Sequence, residues 1–164
     1  MTEQQNLTHV SEAGEVWMVD ISGKKAGPRE AVATGTVRCK PETINLIKNH
    51  SASKGDVLAT IRLAGIQGAK RTPDLVPLAH PIAIQAVRVD LELDEDAIKI
   101  CATVKTNDAT GIEMEALTAV SCSALTAIDM IKGVDRGAFI ENIRLEKKTG
   151  GKVGVWNRDQ VLNA

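Results

Sequence analysis

VRVDLELDEDAIKICATV, residues 87–104, decides the fold. Val87, Val89, Leu91 and Leu93 alternate with Arg88, Asp90 and Glu92. After Asp94-Glu95-Asp96, Ile98, Ile100, Ala102 and Val104 alternate again. A period of two sends successive side chains to opposite faces, so each half reads as a strand with one buried face. The acidic triplet is the turn between them. The apolar face of this hairpin must be covered by another layer.

Upstream, AVATGTVRC (31–39) is rich in Val and Thr and reads as a strand. Pro41 suits the first turn of a helix, PETINLIKNH. Ser53-Lys-Gly-Asp56 resembles a capping box with Asp in its last place. It opens a second helix with Val57, Ile61, Ala64 and Gly68 on one face, ending near Arg71 because Pro73 disfavours a helical Thr72. KRTPDLVPLAHP (70–81) carries three prolines and is expected to be a held, extended loop that fixes His80. Downstream, Leu117, Val120, Ala124, Ile128 and Ile131 form one stripe of a helix over 112–133. AFIENIRLEKK (138–148) reads as a last strand, closed by the Gly-rich TGGKVG.

With the two adjacent helices counted as one layer, the order is βαββαβ. The expectation is an α+β, ferredoxin-like antiparallel sheet with helices packed on one face. It is one domain over 1–164, with 1–14 and 155–164 as loose termini. Such a fold hosts many chemistries, so function must come from the site.

Composition narrows the field. The chain has 164 residues, 43% apolar and 25% charged, with a net charge of −1. That balance gives no global field toward nucleic acid or a membrane surface. Its apolar runs read as too short to cross a bilayer. The first residues show no secretory pattern, and a cytoplasmic location is expected. Cys39, Cys101 and Cys122 are odd in number and widely spaced, so neither a disulfide framework nor a metal site is expected. No tyrosine, one phenylalanine and two tryptophans leave few platforms for stacking bases.

The polar residues then group. Asp129 and Lys132 share a helix face, which fits either a surface ion pair or a carboxylate tuned for proton transfer. Glu113 and Glu115 lie in the first turn of that helix, where its dipole favours carboxylates; such acceptors also suit an amino or ring N–H edge. Met114 between them fits core. Lys147, Lys148 and Lys152 surround a Gly-Gly, either a solvated turn or an anion cradle. Lys54, Lys70 and Arg71 are further candidates for phosphate, with simple surface charge as the plainer reading. His80 alone fits a structural role as readily as a functional one. The sum points to a small polyanion handled by acid–base chemistry. A non-catalytic ferredoxin-like module binding a nucleotide or RNA is the alternative.

SKGDV, KRTPDLVPLAHP, GIEMEALTAVS and KKTGGKVG, in that order between Val16 and Gly154, resemble the cyclic pyranopterin monophosphate synthase family. Ala79 departs from that family's LCHP motif by replacing its cysteine. The resemblance implies a lyase of molybdenum cofactor biosynthesis. Such an enzyme rearranges a cyclised dihydro-GTP to cyclic pyranopterin monophosphate and releases pyrophosphate. It also implies a homohexamer, a trimer of dimers, with sites at subunit interfaces. Matched motif by motif, the catalytic residues fall on Asp129, Lys54, Lys132 and Lys148. Substrate contacts fall on Leu78, Ala79, His80, Glu113, Met114, Lys70 and Arg29. No cofactor is implied; magnesium would enter only with the substrate's triphosphate. Neither nucleic acid nor membrane is an implied partner.

Overall fold

The computed structural model describes residues 9–10, 13–49, 56–152 and 154–162. The elements are β1 (Gly27–Arg38), α1 (Pro41–Lys48), α2 (Val57–Lys70), α3 (Thr72–Leu75), β2 (Ile84–Leu93), β3 (Ala97–Asp108), α4 (Glu113–Ile131), β4 (Phe139–Thr149), β5 (Trp156–Asn157) and α5 (Arg158–Leu162). The sheet order is β2-β3-β1-β4-β5, and every neighbouring pair is antiparallel. The first four strands carry the ferredoxin-like order, as the hairpin and its flanking helices predict.

Packing follows from side-chain size. Rows run across the sheet from β1 through β3 to β2: Ala33–Ala102–Val89, Gly35–Ile100–Leu91, Val37–Ile98–Leu93. The β1 members are small, and α4 lies over them. A β-carbon on Gly35 would come 2.5 Å from Val120 Cγ1. The seam between α2 and α4 is equally close. A β-carbon on Gly68 would meet Cys122 Sγ at 2.6 Å and the Thr118 carbonyl at 3.1 Å, and Ser123 Oγ donates to Ile61 O at 3.1 Å. Ala119, Ser123 and Ala127 are fully buried. This row of small residues packs against α2 and the core of its own chain. Asp135, also buried, accepts from Lys40 N at 2.7 Å and Gly137 N at 3.1 Å, and these N–H donors hold its carboxyl below the usual range. It ties the start of α1 to the turn before β4.

Four expectations are corrected. Residues 72–75 form a helical turn, because proline is tolerated in the first turn of a helix, where its missing N–H costs nothing. Asp56 itself caps α2, accepting from Ala59 N at 2.9 Å; Ser53 lies outside the described residues. Residues 156–158, within the stretch expected to be loose, are tied down. Trp156 and Asn157 pair with Lys148 and Lys147, and Arg158 Nε donates to Leu145 O at 2.6 Å. Lastly, α4 is long and apolar enough to cross a membrane by composition, yet half of its most apolar stretch is buried inside the fold as a core helix.

Candidate active site

Two cavities open side by side at the end of the sheet where β1 begins and β3 and β4 end. The first, about 610 Å³, is lined by the strand ends and two loops. Arg29 is fixed there by donating through Nε to Asp108 O at 3.2 Å and through Nη2 to Ala109 O at 3.4 Å. Opposite, Lys148 lies beside Ala31 in the register of β4 on β1. The alternation of β4 separates two consecutive lysines. Lys147 faces Glu30 at 3.6 Å, whereas Lys148 Nζ lies 2.7 Å from Glu113 Oε1. Beyond it the chain turns through Gly150 and Gly151 at φ +92° and +75°, a region that L side chains rarely adopt. A β-carbon on Gly150 would sit 2.5 Å from the Pro28 carbonyl. Lys24, Lys25 and Lys152 complete the cationic lining. The two carboxylates present, Glu30 and Glu113, both face lysines. The surplus of positive charge suits a polyanion.

The second cavity, about 600 Å³, is different in kind. Val19, Ile21, Val76, Leu78, Ala79, Ile82 and Met114 give it an apolar wall. The α3 turn and a further bond, Ala79 N to Val76 O at 3.0 Å, curl the proline-rich segment so that Leu78-Ala79-His80 face inward. His80 Nε2 lies 2.8 Å from Val19 O. Glu115 also lines this cavity. It is 2% exposed and its Oε2 has no hydrogen-bond partner among the described residues. Burial lifts its carboxyl to about 7, and the Glu113 charge pushes the same way. Lys24, Thr110, Gly111 and Glu113 line both cavities, so the two are lobes of one site.

A cationic lobe joined to an apolar lobe with a buried carboxyl has the chemistry to hold a molecule that is apolar at one end and anionic at the other. The sequence comparison agrees on the family. The model described as the MoaC family matches residues 18–151. The chain belongs to the MoaC family. Curated relatives named cyclic pyranopterin monophosphate synthase resemble it over nearly their full length. The Streptomyces avermitilis protein is 56% identical over 155 residues, covering 94% of this chain and 91% of the relative. The Thermomicrobium roseum protein is 49% identical over 155 residues, covering 93% of each.

In this MoaC-family chain the candidate residues fall into two groups. Arg29 and Lys148 line the cationic lobe, Leu78, Ala79, His80 and Met114 the apolar lobe, and Glu113 both. Met114 is exposed to the cavity and is not a core residue. The others do not join them within the chain. Lys70 ends α2, exposed and outside both linings. Asp129 and Lys132 lie at the far end of α4, paired at 2.7 Å and exposed. Sixteen residues of helix separate Asp129 from Glu113, about 24 Å along the axis at a rise of ~1.5 Å per residue. Lys54 lies outside the described residues. Sequence reasoning missed Lys24 as a site residue, and it named Glu115 only as a possible N–H acceptor beside the plainer helix-dipole reading, without foreseeing its burial. The signal for Glu115 was its position beside Ile112, Ala116 and Ala119 on the buried face of α4, where a carboxylate has no structural reason to be.

Proposed function

We propose that this chain is a cyclic pyranopterin monophosphate synthase. It converts a cyclised dihydroguanosine triphosphate to cyclic pyranopterin monophosphate and releases pyrophosphate, a lyase step of molybdenum cofactor biosynthesis. The observation that carries the reading is the pair of lobes with a common wall. The cationic lobe takes the triphosphate, where Arg29, Lys148 and the neighbouring lysines neutralise the leaving pyrophosphate. The apolar lobe takes the heterocycle, whose N–H edge is met by Glu113 and Glu115. Ring opening and reclosure move protons on and off nitrogen and carbon, which suits Asp129 with Lys132 and Lys54.

The separation of Asp129 from Glu113 supports a site completed by a neighbouring chain. We assign the working form as a homohexamer, a trimer of dimers, acting in the cytoplasm without nucleic acid or membrane. No resident cofactor is needed in this scheme; magnesium enters only as a companion of the triphosphate. Lys70 is assigned to phosphate binding from a neighbouring site.

The test is a single assay of purified protein with the cyclised dihydro-GTP. Cyclic pyranopterin monophosphate by mass spectrometry, with equimolar pyrophosphate, is expected. Tight binding without either product would replace the reading with a nucleotide-binding module.

A further inference from the structure

Residues 17–25 run as a strap along one wall of the apolar lobe, lining it with Val19, Ile21 and Lys24. Their side chains alternate: Met18, Asp20 and Ser22 are exposed, whereas Val19 and Ile21 turn inward and line the lobe. Among the described residues the strap is fastened at its start by His9 and in its middle by His80. Trp17 N donates to His9 O at 3.1 Å, and His80 Nε2 lies 2.8 Å from Val19 O. A carbonyl oxygen only accepts, so Nε2 carries the proton in this contact. A turn closed by Lys24 N donating to Ile21 O at 3.0 Å then follows. It delivers Lys24 to the wall that both lobes share. His80 thus stands on the proline-stiffened loop and grips the strap five residues before Lys24.

We propose that His80 is a positioning residue that latches this strap, and that the latched strap makes Lys24 a phosphate-binding residue at the junction of the two lobes. There the heterocycle of the substrate passes into its phosphate chain, so the inference rests on the synthase reading of the site. His80 acts through the Val19 carbonyl and Lys24 and transfers no proton to substrate. The segment around it is held by Pro77 and Pro81 and by the Ala79–Val76 backbone bond, which gives the latch a rigid mount.

Two neutral substitutions separate the roles. The amide of His80→Gln reaches as far as Nε2 and can donate to Val19 O; the shorter amide of His80→Asn cannot. Limited trypsin treatment of the free protein reads the strap directly, through cleavage after Lys24 and Lys25. His80→Asn is expected to speed that cleavage about tenfold or more, and His80→Gln to leave it near wild type, because only a lost tether raises the population of the open segment. In turnover, His80→Asn and Lys24→Ala should each lower kcat/KM about tenfold or more, as misplacement of a binding group does. His80→Gln should recover most of the loss. The double variant His80→Asn/Lys24→Ala should be no worse than the more damaged single variant, since both lesions remove one effect.

Losses that multiply in the double variant would overturn the coupling. A His80→Gln protein as inactive as His80→Asn would overturn the positioning role in favour of proton transfer. The cleavage assay needs no substrate, so the two readings fail separately. An inactive wild type with the cleavage order intact refutes the synthase reading and the phosphate role of Lys24 while supporting the latch. An active wild type whose His80→Asn strap stays protected refutes the latch.

Discussion

Lys148 Nζ lies 2.7 Å from Glu113 Oε1, bridging the end of β4 and the first turn of α4 at the edge of the cationic lobe. Both side chains are partly buried, 31% and 24% exposed. The pair holds a lysine in the polyanion lobe while keeping one carboxylate neutralised beside it. A phosphate bound here, as the proposed function requires, would compete with Glu113 for the same ammonium.

Lys148→Ala is therefore expected to do two kinds of damage. It removes a cation from the leaving group and leaves the Glu113 charge facing the phosphates. Turnover should fall by about two orders of magnitude. Pyrophosphate release under saturating substrate is the measurement. A rate close to wild type would remove Lys148 from the chemistry.

The distance between Glu113 and Asp129 makes a prediction about chains. Asp129→Asn should abolish turnover while far-ultraviolet circular dichroism and assembly stay unchanged, because the residue is an exposed helix position paired with Lys132. Arg29→Ala should also be inactive. Reassembled as mixed dimers, Arg29→Ala and Asp129→Ala chains should regain activity. One site then carries both lesions and the other carries none. A dead mixture, with subunit exchange verified by mass, would place both residues in one chain's site.

Glu115 links the site to stability. Its folded value of about 7 lies above the ordinary 4.5, chiefly through burial. Between those values the folded protein keeps a proton that the unfolded chain has released, so stability falls as pH rises through this window and stays lower above it. Glu115→Gln removes the charge. The unliganded variant should be more stable than wild type above pH 7, by on the order of 3 kcal/mol, with no difference near pH 4. The same variant should bind substrate more weakly. Denaturant titrations at several pH values decide the point, and parallel pH profiles for the two proteins would contradict the buried-carboxyl account.

Thiol reagents give a contrasting expectation. Burial pushes the Cys39 thiol up to about 11 and raises Cys101 and Cys122 as well. A protonated thiol is a poor nucleophile, and none of the three lines either lobe. Iodoacetamide should leave turnover unchanged. Complete inactivation with assembly intact would mean that a cysteine serves the reaction.

What the sequence reveals here depends on whether a signal is periodic. The 87–104 hairpin and α4 are legible because their apolar positions repeat every two residues and every three to four. The turn at Thr72–Leu75 is hidden, since its prolines argue against helix everywhere except in a first turn. The Trp156–Asn157 strand is hidden too, because two residues gain meaning only from the β4 edge beside them. In the site, Arg29, Leu78, Ala79, His80, Glu113, Met114 and Lys148 converge although they span 120 positions of sequence. Composition alone gives no hint of that convergence. For Glu115 the sequence left two readings open, a helix-dipole carboxylate or an N–H acceptor, and only the packing of α4 shows that it is buried.

The seam between α2 and α4 has a mechanical consequence. With Gly65 and Gly68 pressed against the backbone and side chains of α4, the two helices mesh like teeth of a gear that has been welded. Neither can slide by a turn without driving main chain into main chain. The α2–α4 slab is a rigid anvil, and Glu113 and Glu115 are bolted to it. Whatever adjusts around a bound molecule, these two carboxylates keep their places, and the shared wall of the two lobes with them.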